Sequence, residues 1–406
     1  MLALALRLAA GAWWHARHQG EFGFGDSESY WRLAESLAQQ QPYQYGDDLG
    51  RVFRMPGYPL LLSGLYRLAG AEPPIIWARW LSAGLGTLAV ASIYILGRTI
   101  CDPHVGLAAA LVVAVLPEAV ASGALVLSEA PFAPLAVLHL AAWAAALGAV
   151  TMRRAMAWSF VAGVLAGGAT LMRPSWLLMV PFAACVLLLL RPARLRTAAL
   201  AGVMLAALAL VLAPWWVRNA HLTGHFVPTT LQVGASLYDA WNPAAHGGSD
   251  MAPVDRLAAR RRAEMIGLDP VETEYQLDAR LRAAAVDWAR QHPSEAMRLA
   301  AVKFLRMWNV WPNEAAFRGW PFRLAIACSY VPLMACAACG AWKLRHNAAA
   351  WLCWLPAVYL TLVHLVFVSS IRYRGPALLP LAVLAAAAVI QRAVPTGRPL
   401  APPPNG

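Results

Sequence analysis

Long apolar stretches joined by short polar links make up most of the chain. A helix that crosses a bilayer needs roughly 20 apolar residues, and about ten stretches approach that length. They lie at about 1–14, 75–98, 104–122, 128–148, 155–172, 175–191, 196–216, 321–343, 348–370 and 375–391. The pattern predicts an all-α polytopic membrane protein with about ten transmembrane helices.

Two polar segments, about 15–74 and 217–320, interrupt the apolar pattern. The i, i+3, i+4, i+7 spacing of apolar residues predicts an amphipathic helix over 26–40 in the first segment. The same periodicity predicts helices over 270–290 and 294–308 in the second segment. The stretch 57–70 is ambiguous, because it is apolar but shorter than a usual span, so it either crosses the bilayer or lies in the membrane interface.

The chain therefore divides into four parts. These are an N-terminal transmembrane part over 1–216 that contains the first polar loop, a polar loop region over 217–320, C-terminal transmembrane helices over 321–394, and a Pro-rich tail over 395–406 that we predict to be disordered.

Composition agrees with a membrane protein. The chain has 406 residues, of which 60% are hydrophobic and 13% charged, with a mean hydropathy of +0.51. These values exclude an ordinary soluble domain and a disordered chain. The net charge of +12 would suggest nucleic-acid binding in a soluble protein, but the excess arginine lies in short links between apolar segments, so we predict no nucleic-acid partner.

The basic residues also predict the orientation in the membrane. If 57–70 lies in the interface, one set of links carries nearly all the basic residues of the short loops, and these links face the cytoplasm under the positive-inside rule. That set is Arg98, Arg153, Arg154, Arg191, Arg194, Arg196, Lys343, Arg345, Arg392 and Arg398. Both polar loops are then predicted to be extracytoplasmic, in a bacterial cytoplasmic (inner) membrane.

Acidic residues near the predicted outer ends of spans are few. Glu118 and Glu129 are candidates because an ionisable group at membrane depth is costly and is retained for a purpose. Glu129 could also be a first-turn acid after the N-cap Ser128, and Asp26 could cap the first-loop helix. A carboxylate held at the membrane face by an interfacial helix is, however, well suited to act as a general base.

Four arginines oppose the orientation signal, because they lie at predicted outer helix ends. They are Arg54, Arg173, Arg372 and Arg374. Each alone could extend its guanidinium to the interface. Together with two carboxylates they suggest an anionic ligand, since guanidinium groups match phosphate geometry and keep their charge. His221 and His225 have a spacing that could bind metal on a helix, but Gly224 favours a loop there and no third ligand is evident.

Short sequence blocks resemble those of the polytopic type C glycosyltransferases (GT-C), and within them glycosyltransferase family 39. That family includes the protein O-mannosyltransferases and the bacterial aminoarabinose transferase that acts on lipid A. The blocks occur in family order over about 20–380. They are Asp26 with Tyr30 and Ala34, Arg54-Met-Pro-Gly-Tyr58-Pro, Leu127-Ser-Glu129, Leu171-Met-Arg173-Pro, Pro214-Trp-Trp-Val-Arg218-Asn, and Arg372-Tyr-Arg374-Gly-Pro.

The resemblance implies a transferase that uses a polyprenyl-phosphate-linked sugar as donor and an unknown acceptor hydroxyl of a protein, lipid or glycan. It implies that Asp26 is the catalytic acid of the first loop, that Glu129 is a second catalytic carboxylate and that Arg54 binds the lipid phosphate. Arg173, Arg372 and Arg374 lie in the other matched blocks and are further expected phosphate ligands. The family's mannosyltransferases often carry an Asp-Glu pair where this chain has Asp26-Ser-Glu28, so Glu28 is an alternative base.

Tyr58, Glu118 and Arg218 are further possible site residues. We predict no bound cofactor. A divalent metal is compatible with such a site, although no ligand pattern in the sequence indicates one.

Two other functions fit the sequence. A multi-span lipid or solute transporter is expected to place charged ligand residues near the bilayer midplane in matching halves, whereas here they gather at helix ends and no half of the chain repeats the other. A glycan ligase or polymerase that uses a lipid-linked donor would look similar at this level.

Overall fold

The computed structural model describes residues 1–46, 50–190, 194–313 and 317–390. Within these ranges all regular structure is helical. The predicted tail over 395–406 and residues Arg191, Arg392 and Arg398 lie outside the described residues.

In the described residues before the large loop, the chain forms ten α-helices. They are α1 (Leu2–Arg17), α2 (Gly25–Ala38), α3 (Gly57–Ala69), α4 (Ile75–Ile100), α5 (Pro103–Val115), α6 (Pro117–Ser122), α7 (Glu129–Gly148), α8 (Met152–Met172), α9 (Met179–Leu190) and α10 (Arg194–Thr223). A short 3-10 turn, Pro174–Trp176, precedes α9.

The remaining helices follow in two groups. The large loop contains α11 (Val233–Ala240), α12 (Ala252–Ala263), α13 (Pro270–Gln291) and α14 (Pro293–Trp308). The C-terminal membrane helices are α15 (Trp320–Lys343), α16 (Ala348–Val366) and α17 (Ile371–Ile390).

The polytopic membrane fold predicted from the sequence is confirmed. Among the described residues, seven helices are long and apolar enough to cross a bilayer, namely α4, α7, α8, α10, α15, α16 and α17. Pro103–Val115 and Pro174–Leu190 are apolar but shorter, and α1 has only 16 residues. The expected number of ten spans is therefore not reached by length and composition.

Prolines account for two of the shorter elements. The helix expected over 104–122 is broken at Leu116, whose extended ψ of 118° is the conformation that a following proline, here Pro117, favours. The span expected over 175–191 begins instead with a 3-10 turn at Pro174, and its α-helix covers only 12 residues.

Helices α7 and α17 form the centre of the bundle, with most of each helix buried inside the protein. Small residues bring helices close together, as is common in membranes. A Cβ atom on Gly163 of α8 would lie 2.2 Å from the carbonyl oxygen of Met204 in α10. Gly340 of α15 approaches the backbone of Leu384 in α17 equally closely.

The first polar loop folds against the bundle through α2 and α3. The helix predicted over 26–40 is confirmed as α2. Tyr30 and Ala34 of α2 pack against Tyr58 and Leu62 of α3. Helix α3 has 13 residues and ends at Gly70, whose φ is 68°. At 1.5 Å per residue α3 is roughly 20 Å long, too short to cross a bilayer.

The large polar loop is helical, and the helices predicted over 270–290 and 294–308 are confirmed as α13 and α14. Helix α11 is fixed to α13, because the Asp278 carboxylate accepts a hydrogen bond from the Gly234 N–H at 2.5 Å.

The bundle has two chemically different ends. The start of α7, the end of α8 and the start of α17 meet beside α2, and we call this the site end. The opposite end carries Arg98, Arg153, Arg154, Arg194, Arg196, Lys343 and Arg345. There Arg196 donates to the Ala149 carbonyl at 2.5 Å, and Asn347 donates to the Ile100 carbonyl at 3.4 Å.

Candidate active site

Five charged side chains from distant parts of the sequence meet at the site end. They are Asp26, Arg54, Glu129, Arg173 and Arg372, and we refer to them as the arginine–carboxylate cluster. It unites two predicted catalytic carboxylates with three of the four predicted phosphate-binding arginines.

Arg54 joins the first loop to the large loop. One Nη lies 2.7 Å from the Asp26 carboxylate, and the other donates to the Gln232 side chain at 3.2 Å. Its Nε donates to the Ser29 hydroxyl at 3.2 Å, and its guanidinium lies over the Tyr30 ring at 5.2 Å. Every nitrogen of this guanidinium therefore has a defined partner.

Arg372, in the first turn of α17, bridges the two carboxylates. Its Nε donates to Glu129, and its Nη atoms lie 3.3 and 3.4 Å from Asp26. Arg173, just after α8, completes the cluster at 2.6 Å from the same oxygen of Glu129. The Arg173 guanidinium also lies over the Tyr373 ring at 5.7 Å.

The two carboxylates differ in accessibility. The side chain of Asp26 is 38% exposed, whereas that of Glu129 is 6% exposed. Burial tends to raise the pKa of Asp26, but Arg54 and Arg372 outweigh burial and hold that pKa below its ordinary value. Asp26 is thus a partly exposed carboxylate that favours its ionised form, while Glu129 anchors two guanidinium groups.

The cluster keeps a surplus of positive charge. Three guanidinium groups face two carboxylates, so the five side chains carry a net charge of +1. An anion that enters the cluster therefore meets a net positive charge and can be held by guanidinium groups.

A largely apolar cavity of about 460 Å³ adjoins the cluster. Side chains of α1, α6, α15 and α17 line most of it, among them Trp13 and Phe322, and Phe24 just before α2 also contributes. The charged lining residues are Glu118, Glu129 and Arg372, of which the last two belong to the cluster. An amphiphile with an anionic head could therefore place its head in the cluster and apolar chain in the cavity.

The fourth predicted phosphate ligand, Arg374, lies elsewhere. Its side chain is fully buried, donates to Glu118 and to the carbonyls of Met307 and Asn309, and lies over the Tyr330 ring at 3.8 Å. Arg374 and Glu118 thus form a buried pair that is separate from the arginine–carboxylate cluster.

Three other candidates also lie outside the cluster. Glu28 is exposed and pairs with Arg32 at 3.6 Å along α2. Tyr58 is buried beneath Tyr30, and its hydroxyl lies 3.4 Å from that of Ser82.

Arg218 supports the loop that leads to Arg54. It donates to the Arg51 carbonyl at 3.0 Å and lies over the rings of Tyr43 and Trp215 at 5.3 and 4.7 Å.

Asp26 does not cap its helix. The N-cap position of α2 is Phe24, and no side chain caps it. Similarly, Ser128 precedes α7 but makes no side-chain cap bond; its hydroxyl accepts a hydrogen bond from Tyr30 at 3.2 Å.

Sequence reasoning missed three residues that shape the site. Ser29 contacts Arg54 and lies three residues after Asp26, so helical spacing could have identified it. Gln232 lies in the large loop, and its sequence gives no such signal. Glu274 of α13 accepts hydrogen bonds from the N–H groups of Arg51 and Val52 at 3.0 Å each, which fixes the loop that carries Arg54.

No group of three or more His, Cys, Asp and Glu side chains with metal-binding geometry occurs in the part of the chain that the structure describes. His225, considered with His221 as a metal ligand, instead stacks on Tyr275 with 3.8 Å between ring centroids.

Comparisons with known proteins support this picture. Residues 54–217, which include three cluster residues, match the family described as dolichyl-phosphate-mannose-protein mannosyltransferase. No curated protein sequence matches the chain.

Solved structures share the fold at low identity. The archaeal oligosaccharyltransferase AglB from Archaeoglobus fulgidus, in complex with an inhibitory peptide and a dolichol-phosphate, is 16% identical with a TM-score of 0.58, over 98% of this chain and 52% of that chain. The same organism's enzyme tethered to an acceptor peptide gives a TM-score of 0.59 at 15% identity, over 96% and 49%. ArnT from Cupriavidus metallidurans bound to undecaprenyl phosphate gives 0.48 at 15% identity, over 96% and 76%.

This chain spans about half the length of the archaeal oligosaccharyltransferase. The family match over 54–217 and the fold shared with that enzyme confirm the resemblance seen in the sequence. The chain is a polytopic membrane protein that shares the fold of the archaeal oligosaccharyltransferase, and its residues 54–217 are similar to the dolichyl-phosphate-mannose-protein mannosyltransferase family.

Proposed function

We propose that the protein is a glycosyltransferase that moves one sugar from a polyprenyl-phosphate donor to an acceptor hydroxyl. The observation that carries the proposal is the junction of a cationic cluster with an apolar cavity, through the shared lining residues Glu129 and Arg372. This junction fits an anionic head joined to a long apolar chain.

The donor class follows from the chemistry of that junction. Arg54 and Arg372 are guanidinium donors for a phosphate, and the cavity offers an apolar surface to isoprene units. The matched family is named after dolichyl-phosphate-mannose, and the structurally similar archaeal enzyme holds a dolichol-phosphate. A hexosyl or pentosyl unit on the phosphate is the expected transferred group.

Asp26 is the proposed general base. In the ligand-free cluster its two arginine partners keep its pKa low, which makes it a weak base. A donor phosphate that draws Arg54 and Arg372 towards itself would weaken their hold on Asp26 and raise its basicity. Donor binding would in this way prepare the base for the acceptor.

The proposed reaction is a single displacement. Asp26 accepts the proton of the acceptor hydroxyl, and the hydroxyl oxygen forms a bond to the anomeric carbon. The bond from that carbon to the phosphate oxygen breaks, and its electron pair leaves with the polyprenyl phosphate. The anomeric centre is inverted. The leaving phosphate gains negative charge, so fixed guanidinium groups stabilise the transition state more than the bound donor.

Glu129 is proposed to orient arginines rather than to take the proton. It is almost fully buried and holds Arg173 and Arg372. Arg374 and Glu118 are proposed to stabilise the start of α17 as a structural pair.

We propose that the site faces the extracytoplasmic side of a bacterial inner membrane. The opposite end of the bundle carries the basic links, which the positive-inside rule assigns to the cytoplasm.

The test is release of polyprenyl phosphate from a lipid-linked monosaccharide by the purified protein in liposomes. Arg54→Ala and Arg372→Ala each remove a charge-assisted contact of about 1.5–3 kcal/mol, which corresponds to a loss of turnover of roughly 10- to 100-fold. Arg32→Ala is the matched control, because Arg32 lies on α2 but is exposed and pairs only with Glu28 among the ion pairs of the described residues.

The outcomes separate the competing functions. Consumption of a lipid-linked oligosaccharide but not of the monosaccharide would identify a ligase or polymerase. Transfer of the intact lipid or solute across the liposome membrane without donor cleavage would identify a transporter. Unchanged turnover in both arginine variants would show that the arginine–carboxylate cluster is not the active site.

A further inference from the structure

Helix α14 changes character along its length: its first turns carry the exposed ion pair of Glu295 and Arg298, whereas its C-terminal half buries a lysine and exposes large apolar side chains. Lys303 is fully buried, and its ammonium group donates to two carbonyls in the last turn of α16 at 3.4 and 3.1 Å. On the opposite face Met297, Phe304 and Leu305 are 76, 46 and 65% exposed. A helix whose outer face meets water shows the reverse arrangement.

The C-terminal end of α14 lies beside the bundle, below the ends of its neighbours. The Trp308 indole donates to Thr361 of α16 at 3.0 Å, and the Trp308 carbonyl accepts from Tyr330 of α15 at 3.1 Å. Thr361 lies five residues before the end of α16, and Tyr330 ten residues after the start of α15. At 1.5 Å per residue these positions are roughly 8 and 15 Å below the site-end termini of the two spans.

The surroundings of α14 continue this apolar surface. Trp311, just after α14, and Trp320, the first residue of α15, are exposed, and tryptophan is enriched where a membrane meets water. Leu324 of α15 and Leu362 of α16 are also exposed on helices that can cross a bilayer. The outward face of α14 is therefore continuous with the lipid-facing surface of the bundle.

We infer that the C-terminal half of α14 is embedded in the lipid leaflet at the site end, with acyl chains covering Phe304 and Leu305. Met297, two turns earlier, then lies near the headgroups. The partner of this face is the bilayer itself, because the depth of Trp308 beside two spanning helices puts the face within the leaflet. Helix α14 thus acts as an interfacial anchor, although it lies in the segment 217–320 that the sequence pattern identifies as a polar loop.

This anchor is mechanically joined to the site. In addition to the contacts of Lys303 with α16, Arg306 of α14 donates to the Ser369 carbonyl at 3.3 Å. Ser369 lies three residues before Arg372. Seating α14 in the leaflet therefore fixes the short segment that carries Arg372 into the arginine–carboxylate cluster.

The test measures collisions of a spin label with oxygen, which concentrates among acyl chains, and with a water-soluble nickel chelate. The full-length chain, with its six native cysteines replaced by serine or alanine, receives a single label through Phe304→Cys or the control Ile266→Cys. Ile266 is an exposed aliphatic residue between α12 and α13, at 89%. In phosphatidylcholine–phosphatidylglycerol liposomes we expect the oxygen-to-nickel ratio to be several-fold higher at position 304 than at position 266.

Equal ratios at the two positions would overturn the inference, since the face would then meet water. Shielding of position 304 from both reagents, with spin–spin broadening that grows with protein density, would also overturn it in favour of a second copy. If the chain without native cysteines does not fold, p-benzoylphenylalanine at position 304 of the otherwise unchanged chain gives the answer. A photo-adduct with phospholipid supports the inference, and an adduct with a second chain overturns it.

Discussion

At the scale of single residues, the site depends on one carboxylate that is both charged and reachable. Asp26 retains 38% exposure while contacting Arg54 and Arg372. Glu28, two positions later, contacts only Arg32 among the ion pairs of the described residues. Residues that are two positions apart in an α-helix point in directions about 200° apart around its axis. Only one of these two acids can therefore point into the cluster.

We predict that Asp26→Asn lowers turnover by roughly 10²–10⁴-fold, the range expected for loss of a general base, while donor binding is retained. The amide keeps the shape of the carboxylate but cannot accept the proton. Turnover is measured as release of polyprenyl phosphate. Glu28→Gln is the control, and its turnover is expected to stay within a few-fold of that of the parent. Near-parental turnover of Asp26→Asn together with a large loss in Glu28→Gln would make Glu28 the base.

The buried pair of Arg374 and Glu118 predicts a different kind of effect. Glu118→Gln leaves a buried guanidinium without its counter-charge, which typically costs about 3–5 kcal/mol. We expect a lower thermal unfolding midpoint, with turnover per folded molecule close to that of the parent.

The double variant Glu118→Leu with Arg374→Leu is the control for this prediction. It removes both charges, so much of the lost stability should return. A normal unfolding midpoint combined with abolished turnover in Glu118→Gln would instead bring the pair into the active site.

At the scale of elements, the large loop holds the first loop in place. Glu274 of α13 accepts hydrogen bonds from the N–H groups of Arg51 and Val52, and the Leu231 N–H donates to the Val52 carbonyl at 2.9 Å. These contacts fix the backbone just before Arg54. Glu274 is thus a positioning residue, because it reaches the cluster only through this loop.

We predict that Glu274→Gln reduces turnover several-fold, since the amide offers one acceptor oxygen where the carboxylate offers two. Burial raises the pKa of Glu274 to about 7 from an ordinary 4.5, although hydrogen bonds from Val52 and Arg51 oppose this shift. The folded protein therefore binds this proton more tightly than the unfolded chain, and the resulting stability is present below pH 4.5 and lost as the pH rises through 7.

The difference in thermal unfolding midpoint between the parent and Glu274→Gln tests this sign. The unfolding midpoint of the parent, relative to that of the variant, should be higher at pH 5 than at pH 8. A difference that grows in favour of the parent above pH 7 would show that the carboxylate is stabilised in the folded protein, contrary to the prediction.

At the scale of the whole molecule, the charges divide the protein between the two sides of the membrane. The site end holds arginines that are paired with carboxylates, whereas the opposite end holds the basic links. Two exposed aliphatic residues report on these ends, since Leu195 and Ile266 are each 89% exposed.

We predict that a membrane-impermeant thiol reagent added outside intact cells labels Ile266→Cys and does not label Leu195→Cys. The background carries Ser in place of the exposed Cys185 and Cys328. Permeabilised cells provide the control, in which both positions should react. Labelling of Leu195→Cys alone in intact cells would reverse the orientation and mean that 57–70 crosses the membrane.

The sequence by itself determined the elements that depend on local interactions. Apolar length and periodicity predicted the membrane class, α2, α13 and α14, because burial in lipid or against a bundle imposes a spacing on the chain. The order of short motifs predicted the family resemblance and identified Asp26, Arg54 and Glu129 as candidates. Breaks at Leu116 and Pro174 were not predicted, although the prolines that cause them are visible in the sequence.

Only the tertiary structure decided which candidates share a site. Arg372 and Arg374 occupy one motif, yet they point to opposite sides of α17, where Arg372 meets Asp26 and Glu129 and Arg374 meets Glu118. The rotation of a helix about its axis is set by its packing against neighbours, and these neighbours are remote in sequence. For the same reason no local pattern could show that a glutamine at position 232 contacts Arg54 or that the apolar face of α14 points outward.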